Sequence, residues 1–206
     1  MNVDLDNYHP APDLLDGRII LVTGAGDGIG AAAARSYAQH GATVVLVGRT
    51  QAKLEAVYDA IEAEGGKQPV IFVMDLAKAQ GDDYQNLFEG LEQEFGRLDG
   101  LLHNAGMLGN RSPIEHYDIP VWLETMHVNL NAPFILTQTL LPLLHKSADP
   151  SVVFTSSGVG RKGRAYWGAY AVSKFGIEGL SQTLADECAN MRVNCINPGA
   201  TRSAMR

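Results

Sequence analysis

Six short runs of aliphatic and β-branched residues, each followed by a longer stretch of helical character except the last, constrain this chain more than any other feature. The runs occupy residues 18–23, 43–47, 69–74, 98–103, 151–155 and 192–196. They are nearly continuous apolar segments, not alternating ones, which is how strands covered on both faces read. Residues 30–40, 51–64, 82–95, 121–144 and 169–190 between them carry helical spacing. A repeated strand–helix order requires right-handed crossovers, and these place helices on both faces of a parallel sheet. The expected architecture is therefore a single α/β domain with a doubly wound parallel sheet over residues 15–206, preceded by a short N-terminal arm, 1–14. No repeat, low-complexity tract or linker divides it.

Composition removes several alternatives. The 206 residues are 46% apolar and 19% charged, which is incompatible with a largely disordered chain. A net charge of −7 argues against a nucleic-acid partner or an anionic membrane surface, because both demand a basic face. Residues 130–144 are interrupted by Asn131, Pro133, Gln138 and Pro142, too polar and short for a span. Residues 1–16 hold four Asp and two Pro without an apolar core, unlike a secretory signal. Cys188 and Cys195 are the only thiols and fit two buried small side chains in a reducing compartment, so the cytoplasm is the expected location. No His or Cys stands at metal-ligand spacing, and no metal is expected.

Glycine is the compositional anomaly, with 22 residues. Gly24, Gly26, Gly28 and Gly30 cluster between the first strand and the Ala31–Arg35 helix start, with Ala25, Asp27 and Ile29 between them. A strand-to-helix turn that lets its backbone approach a pyrophosphate favours residues without Cβ, and the helix N-terminus adds N–H donors and positive dipole. In a first strand–first helix position this points to dinucleotide binding. An acid closing the second strand would select NAD(H) through the ribose hydroxyls. Here Val47-Gly48-Arg49-Thr50 offers Arg49, whose planar fork suits a 2′-phosphate, so NADP(H) is preferred with NAD(H) the alternative. Asp27 counts slightly against that choice. Asp75-Leu76, ending the third strand, is placed to meet an adenine edge, although Asp75 also suits an N-cap.

Tyr170 and Lys174 lie at i and i+4, on one helical face. A phenol with an ordinary pKa near ~10 transfers protons poorly at neutral pH unless a cation stabilises its phenolate. Ser157, thirteen residues before Tyr170 at the end of the fifth strand, could bond a substrate carbonyl. Asn129 is a polar residue in a mostly apolar helical stretch, and its plainer role is an amide bonded to neighbouring backbone.

In order and spacing these residues resemble the short-chain dehydrogenase/reductase family, from Leu15 to Arg206. The matching segments are the glycine turn, Asp75, His103-Asn104-Ala105-Gly106, Asn129, Ser157, Tyr170 with Lys174, and Asn197-Pro198-Gly199. Segments 103–109, 154–161 and 167–170 are most similar to the bacterial YciK-type oxidoreductases within it. The resemblance implies a Rossmann-type fold and hydride transfer between NADP(H) and a small-molecule carbonyl or secondary alcohol. It implies Tyr170 as acid/base, Lys174 lowering its pKa and binding the nicotinamide ribose, Ser157 orienting the carbonyl, and Asn129 holding a relay water. It further implies that Asn104, Ala105 and Gly106 line the cofactor, that Pro198 and Gly199 pass the nicotinamide, and that Ser203 contacts its carboxamide. A homodimer or homotetramer through the helices of 121–144 and 169–190 is implied too.

His103 stands where the family more often has Asn, and is expected to be a hydrogen-bonded strand-end residue. Tyr166, Trp167, Met107 and Leu108 could add an apolar wall. A binding protein that retains the fold with little turnover is the competing class, and a nucleotide-sugar epimerase is disfavoured by the glycine spacing and length. Family members are longer, so a substrate lid and seventh strand are expected to be missing from this sequence.

Overall fold

The computed structural model describes residues 9–201. Strands β1 (Ile19–Thr23), β2 (Thr43–Gly48), β3 (Val70–Val73), β4 (Gly100–His103), β5 (Ser151–Thr155) and β6 (Arg192–Ile196) form one parallel sheet in the order β3-β2-β1-β4-β5-β6. Helices α1 (Gly28–Gln39), α2 (Gln51–Ala63), α3 (Gly81–Phe95), α4 (Ile119–Met126), α5 (Ala132–Leu144) and α6 (Gly168–Glu187) complete the crossovers. The doubly wound α/β reading holds.

Two apolar layers explain the continuous strand runs. Ile20, Val22, Val44, Leu46 and Leu102 pack with Ala34, Ala38, Leu54, Val57 and Ile61 of α1 and α2. Their strand neighbours Ile19, Leu21, Val45, Val47 and Leu101 face the other way, against α3, α5 and α6 through Leu87, Leu91, Leu136, Leu140 and Ile177. Side chains that alternate between two covered faces must all be apolar. β6 departs from this reading. It is a sheet edge in the described residues, with Val193 and Cys195 half-buried and Arg192, Asn194 and Ile196 exposed. Cys188 and Cys195 are correspondingly only half-buried, which corrects the expectation of two buried thiols.

The stretch 121–144 is helical but not one regular helix. A π-turn at His127–Asn131 separates α4 from α5, with the Ala132 N–H bonded to the His127 carbonyl five residues back. Pro133 supplies the reason. It has no N–H for the Asn129 carbonyl four residues earlier, and its ring would crowd that carbonyl in a regular α-helix.

Strand order reverses direction between β1 and β4, so the carboxyl ends of these strands open a crevice, the expected ligand position in such sheets. His103 closes β4 beneath it. Its ring is buried, stacks on Phe154 at 4.7 Å, and shares a 2.8 Å hydrogen bond between Nε2 and Thr137 Oγ1 of α5. Burial pushes its pKa down to about 3. The imidazole is thus neutral when folded and takes a proton on unfolding below its ordinary value near ~6.5.

That difference stabilises the fold fully above about pH 6.5 and is lost as pH falls toward 3, at up to ~1.4 kcal/mol per pH unit. Urea unfolding at stepped pH should therefore show a shallower acid-side decline for His103→Asn than for the parent. Parallel curves would refute the assignment.

Candidate active site

The turn from β1 to α1 is the tightest part of the crevice. Gly24 (φ 66°) and Gly28 (φ 53°) adopt left-handed conformations that suit residues without Cβ. A Cβ on Gly30 would overlap the Gly24 carbonyl oxygen and meet Asn104 Nδ2 at 2.6 Å. Asn104 is the clamp. Its amide donates to the Thr23 and Gly24 carbonyls at 3.2 and 3.4 Å, while the Asn104 and Ala105 N–H groups donate to Thr23 Oγ1 at 3.0 and 3.1 Å.

Asp27 caps α1, accepting from the Gly28 N–H at 2.7 Å, and pairs with Lys53 Nζ of α2 at 2.7 Å. The Lys53 ammonium holds the Asp27 carboxyl below its usual range. An acid that looked unfavourable for a phosphate-rich ligand is therefore already neutralised, by a lysine the sequence reading missed. Its signal was its place one turn after Arg49. Arg49 lies at the exposed end of β2 and is in no ion pair among the described residues. Asp75 Oδ1 accepts from the Ala77 N–H at 3.1 Å in a turn, and Gln80, not Asp75, caps α3, which corrects the N-cap alternative.

The other half of the crevice is built on α6 and the end of β5. Tyr170 and Lys174 face it together, with Lys174 Nζ 5.6 Å from the Tyr170 ring centre. Lys174 is buried and donates to the Thr155 carbonyl at 2.7 Å; burial lowers its pKa to about 8. Ser157 lines the crevice, half-buried, beside the fully buried Ser156, whose N–H is tied to the Ile196 carbonyl. Asn129 stands behind the wall. Its Oδ1 accepts from the Met107 N–H at 2.8 Å, and its Nδ2 donates to the Met107 carbonyl and Ser173 Oγ at 2.9 and 3.1 Å. Ser173 Oγ in turn donates to the Tyr170 carbonyl.

The crevice encloses about 860 Å³. Gly24, Gly26, Asp27, Gly28, Ile29, Arg49, Asp75, Leu76, Asn104, Ala105, Gly106, Ser157, Tyr170, Lys174, Pro198 and Gly199 all line it. Gly30 and Asn129 act from behind. Trp167, Met107 and Leu108 are also on its wall, whereas Tyr166 is exposed outside it. Ser203 lies outside the described residues. Reading sequence alone missed Thr23, Ser173 and the π-turn, although Pro133 signalled the last of these. Among the described residues no cluster of three His, Cys, Asp or Glu could hold a metal, and no helix is long and apolar enough to cross a membrane.

A family model described as short chain dehydrogenase matches residues 18–206. The chain belongs to that family. It is 55% identical over 201 residues to the oxidoreductase YciK of Escherichia coli K12, covering 97% of this chain and 80% of that protein. A short-chain dehydrogenase from Shigella flexneri 2a complexed with NADP superposes with a TM-score of 0.93 at 55% identity, covering 95% of this chain and 82% of that one. One from E. coli CFT073 complexed with NADPH gives 0.93 at 56% identity, with the same coverage of both chains. The chain is a short-chain dehydrogenase/reductase, an oxidoreductase by family.

Proposed function

We propose that this protein transfers hydride between NADP(H) and a small-molecule carbonyl or secondary alcohol, with Tyr170 as acid/base. The observation that carries the reading is the convergence of Ser157, Tyr170 and Lys174 on the crevice that the glycine turn also borders. The residues present fit the dinucleotide: a cradle where a Cβ at Gly24 or Gly30 would collide, the α1 N-terminus, and Arg49 beside it, in no ion pair among the described residues. The complexes of the two similar proteins with NADP and NADPH support the same choice. When bound, the cofactor supplies or accepts the hydride.

The chain's own residues manage position and protons. Ser157 donates a hydrogen bond to the substrate oxygen, and Tyr170 gives that oxygen its proton in reduction or takes it in oxidation. Lys174, a buried ammonium at neutral pH, favours the phenolate form of Tyr170 and binds the nicotinamide ribose. Asn129 is a positioning residue. Its amide is used by Met107 and Ser173, so the relay water is assigned to its main-chain carbonyl, for which Pro133 has no N–H. Arg49, with Lys53 near, binds the 2′-phosphate.

The same reading extends to assembly. Leu123 and Phe134 on α4 and α5, and Val172 and Phe175 on α6, are large apolar side chains 44–62% exposed. Covering these faces with a second copy makes the homodimer or homotetramer, in the cytoplasm.

Three measurements check this. NADPH oxidation over a panel of aldehydes, ketones and quinones should fall at least ~100-fold in Tyr170→Phe while NADPH still binds; equal rates would overturn the acid/base assignment. Arg49→Ala should weaken NADPH binding roughly tenfold or more and NADH binding little, whereas equal losses would remove the 2′-phosphate contact. Light scattering should give a mass of two or four chains, and a monomer would refute the assembly.

A further inference from the structure

Arginine pairing is uneven across this molecule. Arg18, Arg35, Arg97, Arg161 and Arg192 each hold a carboxylate: Asp149, Glu64, Asp99, Glu178 and Asp149 respectively. The remaining described arginines, Arg49, Arg111 and Arg164, form no ion pair and donate no side-chain hydrogen bond among the described residues. In a chain of net charge −7 carboxylates are plentiful, so Arg49 and Arg111 on the crevice wall, and Arg164 reaching the wall residue Trp167, without a carboxylate among the described residues, call for a ligand. Arg49 serves the cofactor end. Arg111 lines the crevice with Trp167, and Arg164 reaches the same side chain.

Both meet one indole. The Arg111 guanidinium carbon is 4.4 Å from the Trp167 ring centre and that of Arg164 is 5.9 Å away. Trp167 itself lies 5.9 Å from the Tyr170 ring. Its placement is built in, since Tyr166 before it takes a left-handed φ of 69° and a Cβ on Gly168 after it would overlap the Tyr117 ring. A cation held over an aromatic face keeps its N–H edge available to a carboxylate or phosphate. Of the acids on the crevice wall, Asp27 is paired with Lys53, Asp75 is turned to Ala77, and Glu124 forms no ion pair with either guanidinium.

We infer that Arg111, Arg164 and Trp167 form an oxyanion subsite that selects carbonyl substrates tethered to a carboxylate or phosphate. This rests on the proposed oxidoreductase reading, and the test separates the two. In the NADP-loaded protein, calorimetry should detect terephthalate but not its dimethyl ester, and Arg111→Met/Arg164→Met should abolish the difference. With NADPH, 4-carboxybenzaldehyde should show kcat/KM about tenfold above methyl 4-formylbenzoate at low salt, carried by KM, and the double variant should bring the ratio near one. An unchanged melting temperature shows that the variant folds. Equal binding of acid and ester by the parent, or a ratio that survives both substitutions, overturns the subsite. Selective terephthalate binding with no NADPH oxidation by either aldehyde or by any carbonyl of the panel keeps the subsite and overturns the proposed hydride transfer instead.

Discussion

How closely the β1–α1 turn can approach the end of β4 governs the rest of the crevice. Asn104 bonds the carbonyls of Thr23 and Gly24, while Thr23 Oγ1 receives two N–H groups from the far side. These bonds form only if nothing projects from Gly24 or Gly30 into the gap. The absence of two side chains therefore brings the α1 N-terminus to the reversal point of the sheet, where Gly28 and Ile29 line the crevice. Burial elsewhere serves the same end. The apolar layers on the two faces fix β1 and β4 as neighbours, and the polar clamp fixes their ends.

A second clamp holds the Tyr170–Lys174 side of the crevice, and it depends on an irregularity. The π-turn shifts Asn129 so that its amide reaches Met107 in the loop after β4 and Ser173 on α6. One buried side chain thereby ties together three segments. Ser173 sits one residue from Lys174 and bonds the Tyr170 carbonyl, so the register of α6 against the β4 loop follows from this bond set. A buried amide with both its ends satisfied stabilises such a junction without the desolvation cost of an unpaired group.

Legibility followed the range of the interactions. The strand runs, the glycine turn and the Tyr170–Lys174 pair were readable because neighbours within a few residues determine them. Ser157 was readable through its interval to Tyr170, and His103 as a hydrogen-bonded strand end. What escaped was set by partners far along the chain: Lys53 neutralising Asp27, Thr137 sharing a bond with His103, Ser173 receiving Asn129. The half-burial of Cys195 escaped because periodicity does not reveal which strand lies at a sheet edge. Pro133 was visible but read only as an interruption of an apolar run, when its missing N–H was the local cause of the π-turn.

Charge placement reconciles a net charge of −7 with a site for anions. At physiological ionic strength the field of distant carboxylates fades beyond ~8 Å, so a ligand in the crevice responds mainly to its immediate lining. Of the acids in that lining, Asp27 is paired and Asp75 turned to Ala77, with Glu124 the third, while Arg49 and Arg111 hold no carboxylate among the described residues. Lys174 differs from both. Its burial lowers its pKa to about 8, so at neutral pH it is still mostly charged, but close enough to its titration for the surroundings to matter. An anionic ligand beside it would raise that value and hold the ammonium. Burial and ligand charge thus act on Lys174 in opposite directions.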